Sequence, residues 1–86
     1  MPEMRRIFVA AQEYINGEIS IIELNGVVMW CYDYARIAKL APAITELLET
    51  WVEKVNQTWN EWGLYEHPLT REELCSWLRD QLLFDF

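Results

Sequence analysis

The sequence predicts an all-α fold, a small four-helix up-down bundle, and two observations lead to it. From Pro42 to Trp62 the apolar residues recur at steps of three and four, the spacing of a single helix face. Ser20-x-x-Glu23 and Thr70-x-x-Glu73 are capping boxes. In such a box a hydroxyl accepts from the N–H three residues on, and the carboxylate returns a bond to the N–H of the hydroxyl residue. With 86 residues, the chain is expected to form one domain over residues 1–86, near the lower end of what folds alone.

The first helix is placed at about Glu3–Asn16, with Ile7, Phe8, Ala10, Ala11, Tyr14 and Ile15 on its buried face and Gly17 as its cap. The Ser20 box opens a second helix at about Ile21–Leu40, whose stripe is Ile21, Leu24, Val28, Cys31, Ala35 and Ala38. Gly26 inside it costs about 0.8–1 kcal/mol relative to Ala. The third helix is Pro42–Trp62, with Ile44, Leu47, Leu48, Trp51, Val52, Val55, Trp59 and Trp62 on one side. Proline suits its first turn, where no N–H is needed. Gly63 would supply a left-handed cap with Leu64 packing back, and Trp51 and Trp59 are assigned to the core. After Pro68, the Thr70 box opens the last helix at Arg71–Phe84, with Leu74, Trp77, Leu78 and Leu82 turned inward.

Residues 5–34 also admit a different reading. Asn16-Gly17 and Asn25-Gly26 are hairpin-turn dipeptides, and the segments between and after them are rich in β-branched residues. That reading is a three-stranded antiparallel meander followed by two helices. Poor alternation favours the helices, since Ile21 and Ile22 are adjacent, as are Val27 and Val28.

Composition narrows the function. Fourteen acidic against seven basic side chains give a net charge of −7, the wrong sign for a nucleic-acid binder. Two cysteines and one histidine are too few for a disulfide scaffold or a zinc module. No stretch approaches the roughly 20 apolar residues of a membrane span. The apolar run after Arg5 and Arg6 is cut short at Gln12 and Glu13, so no secretory signal is read. A cytoplasmic setting with reduced Cys31 and Cys75 is expected, with no membrane and no direct nucleic-acid contact.

Catalytic chemistry finds little support. His67, within Tyr65-Glu66-His67-Pro68, could serve as a base beside Glu66 or Cys75, but no nucleophile motif surrounds it, and a solvated loop histidine explains it. Glu72 and Glu73 fit the first turn of a helix, where acids offset the macrodipole. The cysteines read as small apolar packing groups. No Gly-rich phosphate loop is present. The expectation is a non-enzyme without catalytic residues, metal or cofactor.

What remains is a surface for a protein. Glu46, Glu49 and Glu53 stack at helical spacing, and Glu61 is expected to extend the row. Such a row is either a docking face for a basic protein partner or an ordinary solvated face. Trp62 and Tyr65, near a helix end, are candidate interface anchors, with Trp59 and Trp77 expected nearby. The apolar tail Leu82–Phe86 either closes the bundle or mediates a homodimer or docking on a larger assembly.

Two segments resemble the colicin D immunity-like family of small self-protective immunity proteins. One is Phe8 to Leu24, a short helix followed by Ile19-Ser20-x-x-Glu23-Leu24. The other is Leu69 to Leu82, opening with Leu69-Thr70-x-Glu72-Glu73-Leu74. Together they cover about a third of the chain. The resemblance implies a small acidic helical inhibitor whose carboxylates occupy the basic cleft of a bacterial tRNA-cleaving toxin. The acid-rich connection of that family is replaced here by Trp59-Asn60-Glu61-Trp62-Gly63, so no individual inhibitory residue is carried over.

Overall fold

A computed structural model describes residues 2–83, with side chains from residue 4 onward. It contains four helices: α1 (Pro2–Ile15), α2 (Ile21–Ile37), α3 (Pro42–Trp59) and α4 (Arg71–Leu82). Around the bundle, α1 lies beside α2 and α4, and α3 beside α2 and α4; the α2–α3 interface is the most extensive. No strand occurs among the described residues, so the meander is excluded. Asn16-Gly17 ends a helix, and Asn25-Gly26 lies inside one.

Local chemistry sets most helix ends. Ser20 and Thr70 each accept from the N–H of the glutamate three residues on, at 3.1 Å. Glu23 and Glu73 return bonds to the N–H groups of Ser20 and Thr70, also at 3.1 Å. Gly17 (φ +77°) closes α1: its N–H donates to Tyr14 O at 3.0 Å, and the Glu18 N–H to Glu13 O at 2.8 Å. These paired bonds satisfy carbonyls that the last turn leaves open.

Two helices stop earlier than their apolar spacing suggests. α2 ends at Ile37 instead of Leu40, because Lys39 takes the left-handed conformation (φ +55°). The Lys39 N–H donates to Arg36 O and the Leu40 N–H to Ala35 O, the bonding pattern that Gly17 provides for α1. Ala38, expected on the stripe, is an exposed cap residue. α3 ends at Trp59 instead of Trp62, because Asn60 (φ +47°) is left-handed. Asn60 thus takes the cap role expected of Gly63, and Leu64 is exposed. α4 ends at Leu82; Phe84, where its end was expected, lies outside the described residues.

The core joins Ile7, Ala11 and Tyr14 of α1 with Leu24, Val28, Cys31 and Ala35 of α2, Leu48, Trp51 and Val55 of α3, and Leu74, Cys75 and Leu78 of α4. Met4 is also buried. It continues the Ile7–Ala11–Tyr14 spacing one turn back, which the sequence reading missed. Trp51 is the hub. Its ring meets Trp77 edge-on at 5.2 Å and Phe8 at 5.9 Å, bridging α1, α3 and α4. Its Nε1 is buried without a hydrogen-bond partner among the described residues.

Arg71 closes the α1–α4 side. Its Nη2 donates to Tyr14 O at 2.8 Å and Ile15 O at 3.4 Å, and its guanidinium lies 5.0 Å from the centre of the Tyr14 ring. A cation at the C-terminal carbonyls of α1 is favoured by the helix dipole. The Tyr14 hydroxyl has its pKa raised, first by burial and then by the nearby Cys75 thiol, with Arg71 acting in the opposite direction.

Candidate functional site

The acidic row and the aromatic anchors sit on and just beyond α3. Glu46, Glu49 and Glu53 are exposed on the outer face of that helix. Their surroundings differ. Glu46 shares a shallow recess at the α2–α3 turn with Arg36 and Lys39, so cations of the same fold stand close to it. Glu49 Oε1 accepts from the Tyr32 hydroxyl at 3.2 Å, tying α3 to α2, and Arg36 lies over the Tyr32 ring. Glu53 accepts from Gln57 one turn on, at 3.1 Å. Glu61 does not extend the row. The chain reverses at Asn60, and Glu61 is exposed in the following turn.

That reversal builds the most distinctive surface. Asn60 Oδ1 accepts from the Tyr65 N–H at 3.1 Å, and Asn60 Nδ2 donates to Tyr65 O at 3.4 Å. The Gly63 N–H donates to Asn60 O at 3.0 Å, with Gly63 at φ +64°. One asparagine therefore clamps both ends of the Asn60–Tyr65 loop. Downstream, the Leu69 N–H donates to Gln57 O at 3.2 Å, holding the return of the chain against α3. The clamped loop carries large apolar side chains outward: Trp62 is 79% and Leu64 80% exposed, and Tyr65 39%. Asn56, Trp59 and Glu61 complete a cleft of about 160 Å³ beneath them.

Trp59 is half-buried at this cleft and not in the core. Trp77 is not part of the cluster, being packed on Trp51. Trp62 and Tyr65 were readable as candidates because both were expected near a helix end, where a large side chain is less well covered. Leu64 was missed because a left-handed Gly63 suggested packing back. Asn60 was missed because its role depends on a left-handed backbone that asparagine tolerates.

The residues considered for catalysis are not gathered. His67 is exposed in the α3–α4 loop, whereas Cys31 and Cys75 are buried on α2 and α4. Among the described residues, no group of three His, Cys, Asp or Glu side chains is arranged to hold a metal ion. No helix among them is long and apolar enough to cross a membrane. Of the tail, Leu82 packs on the core and Leu83 is exposed; residues 84–86 lie outside the described residues.

No protein-family model matches the chain, and comparison with curated proteins and with solved structures finds no match.

Proposed function

We propose that the chain is a non-catalytic protein-binding domain that engages a basic partner through the clamped loop after α3. One observation carries this reading. Trp62, Leu64 and Tyr65 are held outward by a loop that Asn60 bonds at both ends. Apolar side chains on a free loop would lose much of their binding energy to ordering, whereas a pre-organised loop spares that cost. Tryptophan and tyrosine are the side chains that most often dominate interface energies. Glu61 beside them and Glu53 further back on α3 supply the negative sign, which steers a basic protein and repels an acidic one.

The resemblance to immunity proteins supports a finer version, in which the partner is a bacterial nuclease toxin and the carboxylates stand in for RNA phosphates. The test begins with affinity capture from the native host at low and moderate salt, followed by calorimetry with the captured partner. Trp62→Ala and Glu53→Lys are expected to weaken binding while the melting temperature stays unchanged, since both side chains are exposed. A captured partner that binds both variants as tightly as the native chain would remove the loop and the acidic side from the proposal. A partner that is not basic would remove the electrostatic part.

A further inference from the structure

We infer that the outer face of α2 is an interface between two copies of this chain. α2 has apolar residues on both sides. Leu24, Val28, Cys31 and Ala35 are buried, while Ile22, Trp30, Tyr34 and Ile37 are exposed, Ile37 to 81%. At about 100° per residue the exposed four fall on one stripe, roughly opposite the buried one. A helix with large apolar side chains on two opposite faces has a second face to cover, and the described fold covers only one. Trp30 and Tyr34 already form a platform. Their rings stack at 5.7 Å and 11°, and Arg6 of α1 lies over Trp30 at 4.5 Å.

Gly26 lies in the middle of this stripe. It costs helix stability relative to alanine, and the monomer has no use for it: a Cβ there would meet nothing within 4 Å, and its φ is not left-handed. A glycine on an exposed apolar stripe lets another backbone approach closely.

Charge selects a second copy as the occupant. The molecule carries −7, so most of its surface repels an identical molecule. This face is balanced, with Glu23 and Asp33 within the stripe and Arg6 and Arg36 at its borders. The signs also run along the helix, Glu23 near the start and Arg36 near the end. A two-fold axis between Met29 and Trp30, with the helices antiparallel, sets Ile22 against Ile37 of the second copy, both within the stripe. Such an interface is self-complementary, as a closed two-fold dimer requires. It is distinct from the clamped loop, and either can fail without the other.

The test uses sedimentation equilibrium over a range of concentrations. Native chain is expected to reach twice the 10.3 kDa monomer mass. Gly26→Gln, which adds a good helix former at an open position, is expected to stay monomeric while melting at an equal or higher temperature. Trp62→Ala is expected to dimerise as the native chain does. Register is read by oxidative cross-linking. An equimolar mixture of Ile22→Cys and Ile37→Cys is expected to cross-link, while either variant alone is not; Cys31 and Cys75 are buried and shielded from the oxidant. A native chain that remains monomeric, a Gly26→Gln chain that dimerises equally well, or cross-linking of one variant with itself would overturn the inference.

Discussion

Replacing Arg71 with methionine tests the least local tie in the bundle. The substitution keeps an unbranched stem and removes the charged fork. Two gains are lost. One is the 2.8 Å charged hydrogen bond to Tyr14 O. Bonds to charged groups contribute about 1.5–3 kcal/mol, and the low end applies because Arg71 is largely exposed. The other is the cation over the Tyr14 ring at 5.0 Å, about 0.5 kcal/mol at an exposed site. The dipole contributions cancel to first order. Arg71 is favourable at the C-terminus of α1 and unfavourable at the first turn of α4, each by about 0.3–1 kcal/mol. The sum is about 2 kcal/mol. In a domain of this size that lowers Tm by roughly 10 °C. Urea unfolding followed by circular dichroism measures the loss, with Arg71→Lys as the control that keeps charge without the planar fork. A loss under about 0.5 kcal/mol for the methionine variant, within the range of ordinary surface substitutions, would refute the reasoning.

Lys39→Gly relieves the left-handed lysine at the end of α2 and, after the added freedom of glycine in the unfolded chain, stabilises by about 0.5 kcal/mol; a lower urea midpoint would contradict it. Asn60→Gly relieves the same backbone strain but removes both bonds to Tyr65, so amide exchange of residues 61–65 is expected to accelerate, and unchanged exchange would show that the clamp does not hold the loop. Tyr14 holds its proton more tightly when folded than unfolded, because its pKa is raised by burial. The stability this represents is present below pH about 10, the ordinary tyrosine value, and is lost as pH rises through the folded-state value. Tyr14→Phe is expected to flatten this alkaline decline. Trp51→Ala is expected to cost about 3–5 kcal/mol, a large share of the total stability of a domain this small, and to leave it unfolded near its growth temperature by circular dichroism.

The parts of the fold legible in the sequence are those determined within a few residues. Both capping boxes form because each needs only four consecutive residues, and the stripes through Leu24–Ala35 and Leu48–Val55 are buried because helical spacing alone gathers them. The ends of α2 and α3 were not legible, because Lys39 and Asn60 carry out a task usually given to glycine. Nothing in a lysine codon position announces φ +55°. Arg71 bonds carbonyls 56 and 57 residues away, a relation that depends on α1 and α4 being neighbours. At the candidate site, Trp62 and Tyr65 were readable as anchors, but the clamp that presents them was not. The outer stripe of α2 stood in the sequence as plainly as the inner one. It was passed over because assigning one buried face to a helix leaves no reason to look for a second.

Salt separates the two surfaces proposed for this molecule. Binding of a basic partner near Glu53 and Glu61 depends on attraction between exposed opposite charges, which added salt screens over a Debye length of about 10 Å at 0.1 M. Association of two copies through α2 brings together molecules that each carry −7. Their long-range repulsion is screened by the same salt, while burial of Ile22, Trp30, Tyr34 and Ile37 is not weakened by it. Raising salt is therefore expected to tighten the self-association while loosening the partner complex. Sedimentation equilibrium and partner calorimetry across one salt series measure both. Self-association that weakens in parallel with partner binding would mean that opposite charges hold the two copies together, and would place their contact on the acidic side instead of on α2.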